Sequence, residues 1–96
     1  MQRRVVITGM GSVTPIGNTV KDFWEGLLEG RNGIDHITHF DASNHTTTFG
    51  GEVKDFNVDG IIEPRDTRRF DLYTQYAIVA AHEAIKDSEL DFDKTD

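Results

Sequence analysis

The chain has 96 residues, a formal charge of −7 and no cysteine. That length allows one small domain at most. The acidic balance argues against a nucleic-acid module and against adsorption to anionic membranes, which both need a basic face. The absence of thiols excludes a disulfide framework, a thiolate metal site and a cysteine nucleophile among these residues.

"RRVVIT" (3–8) opens the chain. Val5, Val6 and Ile7 are adjacent β-branched residues with no polar alternation, which predicts a strand buried on both faces. This apolar run is too short for a signal peptide. The longest uninterrupted one, Tyr76 to Ala81, is far short of a membrane span, so a cytoplasmic protein is expected.

"GMGSVTPIGN" (9–18) follows. A glycine-rich turn between strand and helix invites comparison with nucleotide-binding loops. Gly9 and Gly11 fit the dinucleotide fingerprint, but its third glycine position holds Thr14. Pro15, Ile16 and Gly17 then delay the helix to about residue 19. A P-loop fails for want of its lysine, since Gly17 is followed by Asn18 and Thr19. An autonomous nucleotide-binding module is thus the weakest alternative. The glycines are expected instead to allow a sharp turn with positive φ, with Pro15 fixing the exit.

Val20, Phe23, Trp24, Leu27 and Leu28 form one apolar stripe of the first helix. Asn18 or Thr19 can cap it, Asp22 suits the first turn, and Gly30 is a natural stop with Arg31 just beyond. Residues 31–50 read as loop, with a short strand around Ile37. "TTTFGGEVKDF" suggests a second strand weakened by Gly50 and Gly51. "DFNVDGIIEP" contains a turn or short helix, punctuated by Asp59-Gly60 and Pro64.

The strongest pattern, "RDTRRFDLYTQYAIVAAHEAIKDSEL", predicts one long helix from near Asp66 to near Asp87. Its "YAIVAA" section is apolar on every face, which suits burial at the centre of something larger. A strand with two buried faces asks for the same. The chain therefore reads as the opening of a larger protein. The tail "DSELDFDKTD" is polar and acidic.

His36, His39 and His45 lie in one polar segment, and His36 and His39 form a His-x-x-His pair. No carboxylate or thiol completes a metal-ligand spacing, so solvated loop residues are expected and no metal site. His82 is expected on a helix surface or interface. Asn44-His45-Thr46 matches a glycosylation sequon, which carries no weight without a secretory signal.

Arg65, Arg68 and Arg69 are more informative. They stand at i, i+3 and i+4 at a helix start and share one face. Three of the ten basic residues gather there in an acidic chain. Either they pair with Glu63 and Asp66, or they form a docking patch for an acidic partner.

Taken together, "RRVVITGMGSVTPIGN", "FWEGLLEGRNGI", "EVKDFNV" and "RRFDLYTQYAIVAAHEAIKDS" resemble the start of the β-ketoacyl-acyl-carrier-protein synthase II family. These are condensing enzymes of bacterial fatty-acid elongation. The resemblance runs in order along essentially the whole chain, residues 1–96. It implies an α/β class, the N-terminal part of a thiolase-like layered αβαβα fold, within the first of two similar halves. It also implies a homodimer, with no cofactor and no nucleic-acid or membrane partner. The family's decarboxylative Claisen chemistry uses a cysteine, two histidines and a lysine, all further along than this chain extends. No catalytic residue is carried over, and His36, His39, His45 and His82 do not match the catalytic positions. The family's docking patch for acyl carrier protein has basic residues at the positions of Arg65, Arg68 and Arg69. A non-catalytic relative, such as a chain-length-factor-like subunit, fits the same residues.

Overall fold

The structure, a computed structural model, describes residues 2–94. Met1 and the last two residues of the acidic tail lie outside them. In chain order the elements are α1 (Val20–Glu29), β1 (Ile34–His36), β2 (Phe49–Gly51), α2 (Pro64–Thr67) and α3 (Leu72–Ser88).

Helix α1 follows its sequence signals. Thr19 rather than Asn18 supplies the cap, its Oγ1 accepting from the Asp22 amide at 3.1 Å. Asn18 is engaged elsewhere, donating from Nδ2 to the Lys54 carbonyl at 2.7 Å. Gly30 ends the helix in the left-handed region, at φ 71°. The Gly30 amide donates to the Leu27 carbonyl and the Arg31 amide to the Gly26 carbonyl, a Schellman closure. The apolar stripe is only partly covered: Val20 and Phe23 are half-buried, while Trp24, Leu27 and Leu28 stay exposed.

Strands β1 and β2 form a two-stranded antiparallel sheet, with His36 opposite Phe49 and Ile34 opposite Gly51. The expected strand near Ile37 thus lies just before it, and the Ile37 amide adds one further bond to the Thr48 carbonyl at 3.0 Å. Gly51 lets Pro15 pack on the sheet; a Cβ there would stand 3.1 Å from the proline Cγ. The turn expected near Asp59-Gly60 closes with the Ile61 and Ile62 amides on the Val58 carbonyl.

Three expectations change. First, residues 3–8 form no strand. Val5, Val6 and Ile7 are 95, 64 and 83% exposed, and the described residues include no sheet beyond β1–β2 that could pair with them. A strand exists only where neighbours take up its amides and carbonyls. Second, the long helix is broken. α2 ends at Thr67, and α3 starts at Leu72 after Asp71, whose ψ of 157° is extended. Third, Gly9, Gly11 and Gly17 do not have positive φ; among the described glycines only Gly30 and Gly60 do.

Gly9 and Gly11 serve close approach instead. A Cβ on Gly9 would collide with the Ala84 carbonyl oxygen, and one on Gly11 with that of Ala80. The N-terminal segment therefore lies directly on the backbone of α3. The tight turn sits later, at Thr14–Gly17, where the Thr14 amide donates to the Gly17 carbonyl at 2.8 Å and the Gly17 amide returns the bond at 3.2 Å. Pro15 occupies that turn as expected.

The "YAIVAA" section is not central. Ala77 and Ala81 are exposed and its other residues are half-buried. The buried apolar side chains among the described residues are Ala42 and Ile62, and neither is sealed completely from solvent. The accessible surface is 8185 Å², against roughly 5,500 Å² for a compact protein of this mass. The radius of gyration is 16.9 Å, against about 12.5 Å for a compact domain of this length.

Candidate functional site

Arg65, Arg68 and Arg69 fall on one short helical corner. Pro64 begins α2 at a position where its missing amide costs nothing. The Asp66 and Thr67 amides close on the Glu63 carbonyl. The Arg69 and Phe70 amides then close on the Asp66 carbonyl at 3.0 and 3.2 Å, so helical geometry continues past the end of α2. All three arginines are therefore brought together despite the broken helix, and all three are exposed. Arg69 lies 3.6 Å from the Asp66 carboxylate. Among the described residues, Arg65 and Arg68 make no ion pair. Glu63, Asp66 and Asp71 balance the three arginines in number. The three guanidinium groups are exposed, while the local formal charge sums to zero.

A residue that the sequence did not single out fixes this corner. Gln75, in the first turn of α3, donates from its side-chain amide to the Thr67 carbonyl at 3.1 Å and to the Phe70 carbonyl at 3.0 Å. A glutamine in a helical pattern gives no sign of such bonds until the break between α2 and α3 is known.

The glycine-rich segment leaves no phosphate cradle. The start of α1 already faces an anion: the Glu83 carboxylate of α3 accepts from the Val20 amide at 3.1 Å and from the Ser12 amide at 3.0 Å. One turn further on, Asp87 accepts from the Met10 amide at 3.1 Å. Two carboxylates at i and i+4 on α3 thereby take alternate amides of the N-terminal segment. In the adjoining cleft, Arg31 donates to the Ile16 carbonyl and Glu29, and Lys54 Nζ approaches the carbonyls of Pro15, Gly33 and Glu52 at 3.3–3.5 Å. Asp22 and Asp55 also line that cleft. Both cations are engaged by backbone carbonyls, and carboxylates stand beside them.

The histidines do not converge. His36 lies on β1, His45 packs edge-on to Phe40, and His82 is exposed on α3. Among the described residues no cluster of three histidine or carboxylate groups can hold a metal ion. His39 has a partner that the sequence did not indicate: its Nδ1 lies 3.5 Å from Glu52. Glu52 also accepts from the Thr38 amide, the Thr38 hydroxyl and the His39 amide at 2.9–3.2 Å. The His39 amide holds the Glu52 carboxyl below its ordinary value; burial opposes it, and the Thr38 bonds add to the lowering. Tyr76 packs edge-on to Phe56. Its hydroxyl is pushed up by burial first and by the Glu52 charge second. None of these groups forms a nucleophile–base arrangement.

Comparison with known proteins agrees with the resemblance. The family model for the β-ketoacyl synthase N-terminal domain matches residues 2–96. The chain is 49% identical over 89 residues to 3-oxoacyl-[acyl-carrier-protein] synthase 2 of Synechocystis, covering 93% of this chain and 21% of that protein. It is 54% identical over 89 residues to the protein of that name from Staphylococcus aureus strain N315, covering 93% and 22%. The chain thus spans about a fifth of the length of these curated relatives. Among solved structures, the ishigamide ketosynthase/chain length factor superposes with a TM-score of 0.83 at 37% identity, over 97% of this chain and 23% of that one. A type II PKS acyl-carrier protein in complex with its ketosynthase gives 0.72 at 32% identity, over 100% and 25%. These neighbours share the thiolase-like α/β fold, of which this chain forms an N-terminal part. The chain belongs to the β-ketoacyl synthase family, matching its N-terminal domain.

Proposed function

We propose that the chain is the first section of an elongating condensing enzyme. In its complete form this enzyme joins an acyl thioester to malonyl-acyl carrier protein by decarboxylative Claisen condensation. Residues 1–96 supply scaffold within the first thiolase-like half, and Arg65, Arg68 and Arg69 supply part of the docking surface for acyl carrier protein. The observation that carries the docking role is three exposed guanidinium groups on a single turn. It gains support from the neighbour described as a ketosynthase in complex with an acyl-carrier protein. The segment brings no nucleophile, since it has no cysteine, and the condensing chemistry falls to residues outside it. A homodimer working in the cytoplasm completes this reading.

In the full-length protein, Arg68→Glu with Arg69→Glu is expected to weaken carrier-protein binding at least tenfold, with a steep dependence on salt. Turnover of a small carrier-free thioester should stay near wild type. Equal loss on both substrates would mean misfolding and would remove the docking role.

A second reading is favoured by the neighbour described as ketosynthase/chain length factor. In that case the complete protein keeps the fold and lacks the acylated cysteine. Incubation of the full-length protein with a radiolabelled acyl thioester separates the two, because only the condensing enzyme retains label as a thioester.

A further inference from the structure

We propose that Gln75 is a positioning residue for the arginine corner, setting the backbone of Arg68 and Arg69 before a partner arrives. The inference rests on the docking role proposed above. Helix α2 has four residues, too few to hold their own geometry in water. The last carbonyls of a helix have no intrahelical donor and need an outside one. Gln75 supplies it from the first turn of α3, and both of its bonds run from the same side-chain amide nitrogen. Its two acceptors, Thr67 and Phe70, stand immediately before and after Arg68 and Arg69. The pair is therefore clamped at both ends, while the guanidinium groups stay exposed. Gln75 is itself anchored, its amide donating to the Asp71 carbonyl at 3.1 Å. A clamped corner presents its cations without the ordering cost that a loose one meets on binding.

Gln75→Met keeps the length and removes both donors. In the full-length protein we expect it to raise Kd for acyl carrier protein, and KM for malonyl-acyl carrier protein, about 3- to 10-fold. The value of kcat, and activity on a carrier-free thioester, should not move. In a background of Arg68→Ala with Arg69→Ala, Gln75→Met should add nothing, because the residues it positions are gone. Gln75→Leu, which also lacks the donors and adds no charge, should reproduce the effect and provides the same reading if the methionine variant folds poorly. An additive loss in the arginine-free background, or equal loss on both substrates, overturns the positioning role in favour of a general structural one. If the arginine variants weaken carrier binding and Gln75→Met does not, this inference alone fails. If the arginine variants bind carrier normally, the docking role fails first.

Discussion

Glu83 ties α3 to two points near the start of the chain, Ser12 and Val20, that lie far from it in sequence. Its carboxylate, about two-thirds of the way along α3, accepts from the Ser12 and Val20 amides and thereby serves the first free amide of α1. Glu83→Ala should lower stability by about 2 kcal/mol, the cost of stranding partly buried donors. Glu83→Gln, which can still accept, should cost less. Amide exchange at Ser12 and Val20 is the direct measure, and unchanged protection in Glu83→Ala would refute the role. Glu52 does similar work for the loop after β1. Because its folded carboxyl titrates below the ordinary glutamate value, it stabilises the fold fully above that ordinary value, and the contribution is lost as pH falls through the depressed one. Amide protection at Thr38 and His39 should therefore hold at pH 6 and be lost only below the ordinary glutamate range. Loss already at pH 6 would refute this role for Glu52.

Among the elements, the contact between the N-terminal segment and α3 is the most tightly constrained. Gly11 lies where any side chain meets the α3 backbone, with the Ala80 carbonyl carbon 2.8 Å and the Ala84 nitrogen 2.9 Å from the position of a Cβ. Backbone cannot yield as a flexible side chain can. Gly11→Ala should therefore destabilise by about 3 kcal/mol, near the upper end of overpacking effects. A thermal shift of the full-length protein checks this, with Gly30→Ala as the contrasting case. Gly30 has open space around its Cβ position but a φ of 71°, so its cost is backbone strain alone, about 1 kcal/mol. α1, two short strands near Ile37 and Phe49 and the Val58–Ile62 turn were legible in the sequence, because capping, glycine stops and turn dipeptides act over a few residues, while the pairing of the strands was not. The break at Arg68–Asp71 was not. Helix propensity runs through that stretch, and the carbonyls of Thr67 and Phe70 at the break are taken by a glutamine side chain from beyond it.

At the scale of the whole molecule, the apolar surfaces outnumber the places to bury them. Val5, Val6, Ile7, Trp24 and Leu28 are all more than half exposed. α3 has no fully buried residue. The isolated 96-residue chain should bind a hydrophobic dye strongly and melt without a sharp transition, since too little apolar area leaves water to offset chain entropy. A steep two-state melt of the isolated monomer, with no dye binding, would contradict this. The same surfaces suit a segment that spans about a fifth of its relatives, and they explain why a pattern asking for two covered faces meets none here.

The sequence by itself determined α1 with its caps, the turn near Asp59-Gly60 and the clustering of Arg65, Arg68 and Arg69, because each depends on residue types at short spacing, and its motifs taken in order carried the family. The tertiary structure alone decided that Gly9 and Gly11 exist for backbone contact with α3 rather than for a turn. It also decided that Glu83 stands where a phosphate would need to bind, and that Gln75 and Glu52 bind backbone amides and carbonyls well away from their own positions. These depend on which segments meet in space, and hydrogen bonds between distant residues leave no periodicity to read.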